Sequence, residues 1–112
     1  TKNLISRKRL DLLKTSCGIV NIGRQSTIDY DVLCEKLKAN KIAGAILDVF
    51  TPEPIELNSK LWEIPNLIIT PHVSSDDGES YVRLTLELFT KNLKLFISNK
   101  PLINQVNKNL GY

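Results

Sequence analysis

Three short apolar runs, each closed by a break, organise the first part of the chain. GIVNI (18–22) stops at Gly23, GAILDVF (44–50) runs into T-P-E-P, and LIITP (67–71) meets His72. Apolar runs rich in β-branched residues and bounded by Gly, Pro and polar residues predict strands. Between them the period changes. Val32, Leu33 and Leu37 form a stripe that predicts a helix over about 29–39, with Thr27 as its cap and Asn40 as a left-handed stop. Ser6 is the expected N-cap of RKRLDLLK, where Leu10, Leu12 and Leu13 supply an apolar face. A short helix is expected around SKLWEI, and Asp76 or Asp77 is expected to open a long one over about 76–98. The apolar positions of that last helix, Val82, Leu84, Leu86, Leu88, Phe89, Leu93 and Phe96, wrap more than one face, so it expects cover from two directions. The tail NKPLINQVNKNLGY reads as loop.

Strands separated by helices imply right-handed crossovers and a parallel sheet, so the fold class is α/β. All strands of such a sheet end on one rim, and ligands bind outside those carboxyl ends. Arg24, Glu53 and His72 each follow one of the three runs, and His72 is the single histidine of the chain. Asp48 interrupts the apolar run AILDVF, where an acid is costly unless it finds a partner. The residue types fit together chemically. A histidine gives or takes a proton near neutral pH, a neighbouring carboxylate fixes its tautomer, and an arginine offers a planar fork for a carboxylate. That set suits reduction of a 2-oxo acid by a hydride from elsewhere. A serine or cysteine hydrolase fits poorly, since neither cysteine sits at the rim and there is no G-x-S-x-G elbow.

Composition narrows the field. A chain of 112 residues makes at most one domain, and 42% hydrophobic with 24% charged residues argues against disorder. The net charge of +3 comes from scattered basic residues with no aromatic–basic stacking surface, so no nucleic-acid partner is expected. Cys17 and Cys34 lack CxxC spacing and a nearby histidine; they read as buried, reduced thiols rather than metal ligands, and no metal is expected. No signal peptide is visible and no apolar run approaches the ~18 residues of a spanning helix, so a cytoplasmic, non-membrane protein is expected.

The stretches VNIGRQSTIDYDVLCEKLKANKIAGAILDVFTPEP, LWEIPNLIITPHVSSDD and PLINQVNKNLGY resemble the C-terminal part of the D-isomer-specific 2-hydroxyacid dehydrogenases, which include glyoxylate/hydroxypyruvate reductases, D-lactate dehydrogenases and phosphoglycerate dehydrogenases. The motifs N-x-x-R, LDVF-x-x-EP and TPH carry the likeness in combination. The resemblance implies the C-terminal half of a Rossmann-type NAD-binding domain, with an active site in the cleft to a second domain. It assigns Arg24 to the substrate carboxylate, His72 to acid/base chemistry and Glu53 to pairing with the histidine. Asp48 takes the place of the acid beside the nicotinamide, and Ile22, Gly23, Arg24, His72, Val73, Ser74 and Ser75 line that side of the cofactor, NAD or NADP. Two positions depart from the family pattern: Gln25 stands where glycine usually follows the arginine, and Ser74 where glycine or alanine is frequent.

The family's G-x-G-x-x-G phosphate loop is absent from these residues. Residues 1–112 are therefore expected to form a partial NAD-binding domain plus a C-terminal helix, without the glycine-rich loop or the substrate domain. Strand 18–22 would then show a bare edge, and the piece alone would be inactive. The complete enzyme is expected to be a homodimer acting on a small 2-oxo or 2-hydroxy acid. The alternative is a corepressor-like, NAD-sensing binding protein on the same scaffold. Formate dehydrogenases of the wider family carry Gln where this chain has Glu53, which disfavours that reading.

Overall fold

The computed structural model describes residues 1–111 and divides into two compact units, Thr1–Ser74 and a second that begins at Ser75. The first unit contains α1 (Arg7–Leu10), β1 (Gly18–Asn21), a 3-10 turn at Gln25–Thr27, α2 (Tyr30–Lys38), β2 (Gly44–Leu47), a 3-10 turn at Lys60–Glu63 and β3 (Leu67–Ile69). The three strands form one parallel sheet in the order β1-β2-β3. The expected α/β class and parallel sheet are thus observed.

Burial follows the pleat, in which successive side chains point to opposite faces. Ala45 and Leu47 are buried, while Val20, Ile46 and Ile68, which share one register row, are exposed. The inward face meets α2. Leu33 and Leu37 of α2 are fully buried with Leu47, and Leu10 of α1 closes the same cluster. Asp29 caps α2 by accepting the Val32 N–H at Oδ1 (3.2 Å). Asn40 turns the chain out of the helix at φ 52°, the left-handed stop its identity predicts.

Several boundaries differ from the sequence reading. All three strands are shorter at their carboxyl ends than 18–22, 44–50 and 67–71. The ladder makes its last bonds from Asp48 N–H to Asn21 O and from Thr70 N–H to Leu47 O, both at 3.0 Å. Beyond them the side chains of Asp48, Glu53 and the buried Asn21 take over the backbone donors. The cap of α2 is Asp29 and not Thr27, which lies inside the preceding 3-10 turn. Ser6 makes no side-chain cap bond, and α1 is a single turn. The expected helix at SKLWEI is a 3-10 turn capped by the Ser59 hydroxyl. Cys17 and Cys34 are free thiols and only half-buried.

In the second unit α3 spans Tyr81–Ile97, starting later than the predicted 76. Asp77 still organises its start: Oδ1 accepts the N–H groups of Ser80 (2.8 Å) and Tyr81 (3.0 Å). Asn92 ties the tail to the helix, donating to Ile103 O (3.1 Å) and accepting its N–H (2.8 Å). No residue of α3 is buried.

Truncating the contact between α2 and the sheet should cost most. Leu33→Ala or Leu37→Ala should lower unfolding free energy by about 2–5 kcal/mol. Leu12→Ala, at a position 79% exposed, should stay within about 0.5 kcal/mol. Urea titration of the three variants checks the ranking.

Candidate active site

At the end of β1 the buried Asn21 shapes the turn that carries Arg24. Its Oδ1 accepts the Gly23 N–H (3.1 Å), and its Nδ2 donates to Arg24 O (3.1 Å) and to the Tyr30 hydroxyl (3.0 Å). Tyr30 donates onward to Val49 O (3.0 Å), so one buried network joins the turn after β1, the start of α2 and the segment after β2. Burial pushes the Tyr30 phenol up to about 12. The Arg24 backbone is thereby fixed while its side chain stays exposed, with Nη1 donating to Gly23 O (2.7 Å).

The segment after β2 supplies two carboxylates with different surroundings. Asp48 is 1% exposed. Its Oδ1 accepts the Thr70 hydroxyl (2.6 Å) and the Val73 N–H (2.9 Å), and its Oδ2 accepts the Ser74 N–H (2.9 Å). These donors, the Thr70 hydroxyl foremost, hold its carboxyl well below the usual carboxylate range. Glu53 lies further out. Its Oε1 accepts the Phe50 N–H (2.6 Å), and its Oε2 stands 2.8 Å from His72 Nδ1. The hydrogen bond to His72, then that from Phe50, and also the charge of Arg24 lower the Glu53 pKa.

His72 closes the site from β3. It sits at φ 57°, in the left-handed region, directly after Pro71. Because Glu53 is a carboxylate acceptor, the proton in this contact belongs to Nδ1. A cavity of about 520 Å³ opens beside the pair, walled chiefly by Phe50, Ile55, Trp62 and Ile69.

Within the first unit the structure therefore brings Glu53 and His72 into contact, and the charge of Arg24 acts on Glu53. Ile22, Gly23 and Val73 are exposed on the same strand ends. Asp48 faces inward, onto the 70–74 turn. Ser75 is the first residue of the second unit. Gln25 buries its Oε1 without a hydrogen-bond partner among the described residues. Asn21 and Thr70 enter the sequence reading only as letters of the motifs N-x-x-R and TPH, with no role, and Tyr30 is not named in it. The available signal was a polar residue within a β-branched run, VNI and IIT, which needs a partner once buried. Among the described residues no cluster of His, Cys, Asp and Glu could hold a metal ion, and no helix is long and apolar enough to cross a membrane.

A parallel sheet with this rim defines a Rossmann-like dehydrogenase fold. Residues 1–74, the extent of the first unit, match the family described as D-isomer specific 2-hydroxyacid dehydrogenase, NAD binding domain. The chain belongs to that family. It is 41% identical over 80 residues to a glyoxylate/hydroxypyruvate reductase B of Pectobacterium carotovorum, covering 71% of this chain and 25% of that protein. It is 34% identical over 111 residues to a D-3-phosphoglycerate dehydrogenase of Haemophilus influenzae, covering 96% and 27%. A D-isomer specific 2-hydroxyacid dehydrogenase from Xanthobacter autotrophicus, solved with NADPH and MES, superposes with a TM-score of 0.88 at 31% identity, over 100% of this chain and 45% of its own. An NADPH-dependent glyoxylate/hydroxypyruvate reductase from Sinorhizobium meliloti, solved with NADP and sulfate, gives 0.87 at 29%, over 100% and 36%. The chain thus spans between 25% and 45% of the length of these relatives.

Two pH limbs follow. Tyr30 keeps its proton more tightly when folded, so its contribution is complete below about pH 10 and is lost as pH rises towards about 12. Tyr30→Phe should remove that alkaline limb and cost about 1–3 kcal/mol by orphaning Asn21 and Val49 O. Glu53 has the opposite sign: its depressed pKa stabilises above the ordinary range near pH 4, and this is lost as pH falls through the folded value. Glu53→Gln should flatten the acid limb. Denaturant midpoints measured across pH check both.

Proposed function

We propose that this chain forms the catalytic face of an NAD- or NADP-dependent D-2-hydroxyacid dehydrogenase that reduces a small 2-oxo acid. The observation that carries the reading is the Glu53–His72 pair, Oε2 to Nδ1 at 2.8 Å, on the same strand ends as an exposed arginine. His72 delivers a proton from Nε2 to the carbonyl oxygen as it becomes an alkoxide, and takes it back in the reverse direction. Glu53 orients the ring and stabilises the imidazolium. Arg24 grips the substrate carboxylate with its planar fork and aligns the carbonyl with His72.

The cofactor supplies the hydride when bound. Ile22, Gly23, Arg24, Val73 and Ser74, all exposed on the strand ends, would line its nicotinamide end, with Asp48 behind the last two. The chain holds no G-x-G-x-x-G for the pyrophosphate. The reading accordingly places residues 1–112 within a larger enzyme that adds the phosphate loop and a substrate domain. Relatives solved with NADPH or NADP support the cofactor class.

In that enzyme His72→Ala should lower turnover about 10²–10⁴-fold. Arg24→Lys keeps the charge but loses the fork, so it should raise KM for the 2-oxo acid and leave NAD(P)H binding nearly unchanged. Both are read by NAD(P)H absorbance during reduction of glyoxylate, hydroxypyruvate and larger 2-oxo acids. Unchanged kcat and KM in both variants would overturn the assignment.

A further inference from the structure

His72 occupies a backbone conformation that residues other than glycine seldom adopt. Such a conformation persists only where its surroundings over-determine it. Glu53 touches the ring alone. The backbone on either side of the ring is held by something else.

That holder is the Asp48 carboxylate. On one side of His72 it takes the Thr70 hydroxyl (2.6 Å); on the other it takes the consecutive N–H groups of Val73 and Ser74 (2.9 Å each), one on each oxygen. Successive N–H groups after a left-handed residue make a concave anion seat, which a carboxylate fills. At 1% exposure no bulk water competes for these bonds. Asp48 follows β2 directly, and its own N–H bonds Asn21 O (3.0 Å), so the anchor is part of the sheet. The segment 48–53 thus grips the 70–74 turn twice: Asp48 by its backbone and Glu53 by its ring.

We infer that Asp48 and Thr70 are positioning residues for His72, holding the turn on both sides so that Nδ1 meets Glu53 and Nε2 is presented to the substrate. The catalytic part of this inference rests on the proposed acid/base role of His72; the geometric part does not.

The geometric part can be read on this chain without activity, because it has one histidine. Its imidazole 15N spectrum should show the Nδ1–H tautomer, and the Val73 and Ser74 amides should be protected from exchange. Thr70→Val removes only the hydroxyl, and should speed exchange of both amides about ten-fold, the worth of one hydrogen bond. It should also mix the tautomers, with the Leu33 and Leu37 amides unchanged as a control on folding. Thr70→Ser should restore both signals. Asp48→Asn, which keeps one acceptor oxygen and sets an NH₂ against an N–H, should act more strongly. If it fails to fold, the Thr70 pair decides. Unaltered exchange and tautomer in Thr70→Val overturn the inference, whatever the enzyme does.

In the complete enzyme Thr70→Val should lower kcat about ten-fold with NAD(P)H affinity unchanged, and Thr70→Ser should restore it. Asp48→Asn that spares kcat would overturn the catalytic part of the inference, whatever it does to NAD(P)H binding. Loss of the His72 reading shows separately, as full turnover in His72→Ala with the spectroscopic results intact.

Discussion

Parallel pairing in register sets the height of everything that follows. Val20, Ile46 and Ile68 lie in one row, so the residues just past each strand emerge on one side of the sheet. Hydrogen bonds of a parallel ladder are evenly spaced, and with one residue or two beyond the ladder the chain is free to turn. Arg24, Glu53 and His72 lie on those turns. An antiparallel arrangement of the same three runs would send at least one of them to the opposite end.

The ladder alone does not aim side chains. That falls to two polar residues at the strand ends. Asn21 ties down the Gly23–Arg24 turn and reaches Tyr30, while Asp48 ties down the 70–74 turn. Both are buried and their hydrogen-bonding groups are engaged. Burying a polar group without partners costs several kcal/mol, so these networks form together with the core or not at all. The cost of burial becomes precision at the rim.

Electrostatics then divides labour between the two acids of one segment. Asp48 is held as an anion by neutral donors and is closed to solvent. Glu53 is held as an anion by His72, with Phe50 N–H and the field of Arg24 assisting, and stays at the edge of an apolar cavity. The first acid shapes the backbone; the second works on the imidazole. The distinction lies in their partners, since both are carboxylates a few residues apart on one loop.

Much of this was legible in the chain. The apolar runs ending at Gly23, at T-P-E-P and at His72 determined three strands, and the helix between the first two determined that they run parallel. The identities of Arg24, Glu53 and His72 made the rim chemically suggestive before any coordinate. What the sequence left open were choices made between distant residues. Strand ends depend on where a partner strand runs out, so β2 stops at Leu47 although the apolar run continues to Phe50. Caps depend on which side chain reaches a free N–H, so Asp29 and not Thr27 closes α2. The acid in AILDVF was visibly anomalous, but its donors lie 22 to 26 positions away. Only the folded sheet brings Thr70, Val73 and Ser74 to it, because a carboxylate's partners are set by proximity in space, and a one-dimensional pattern records only proximity along the chain.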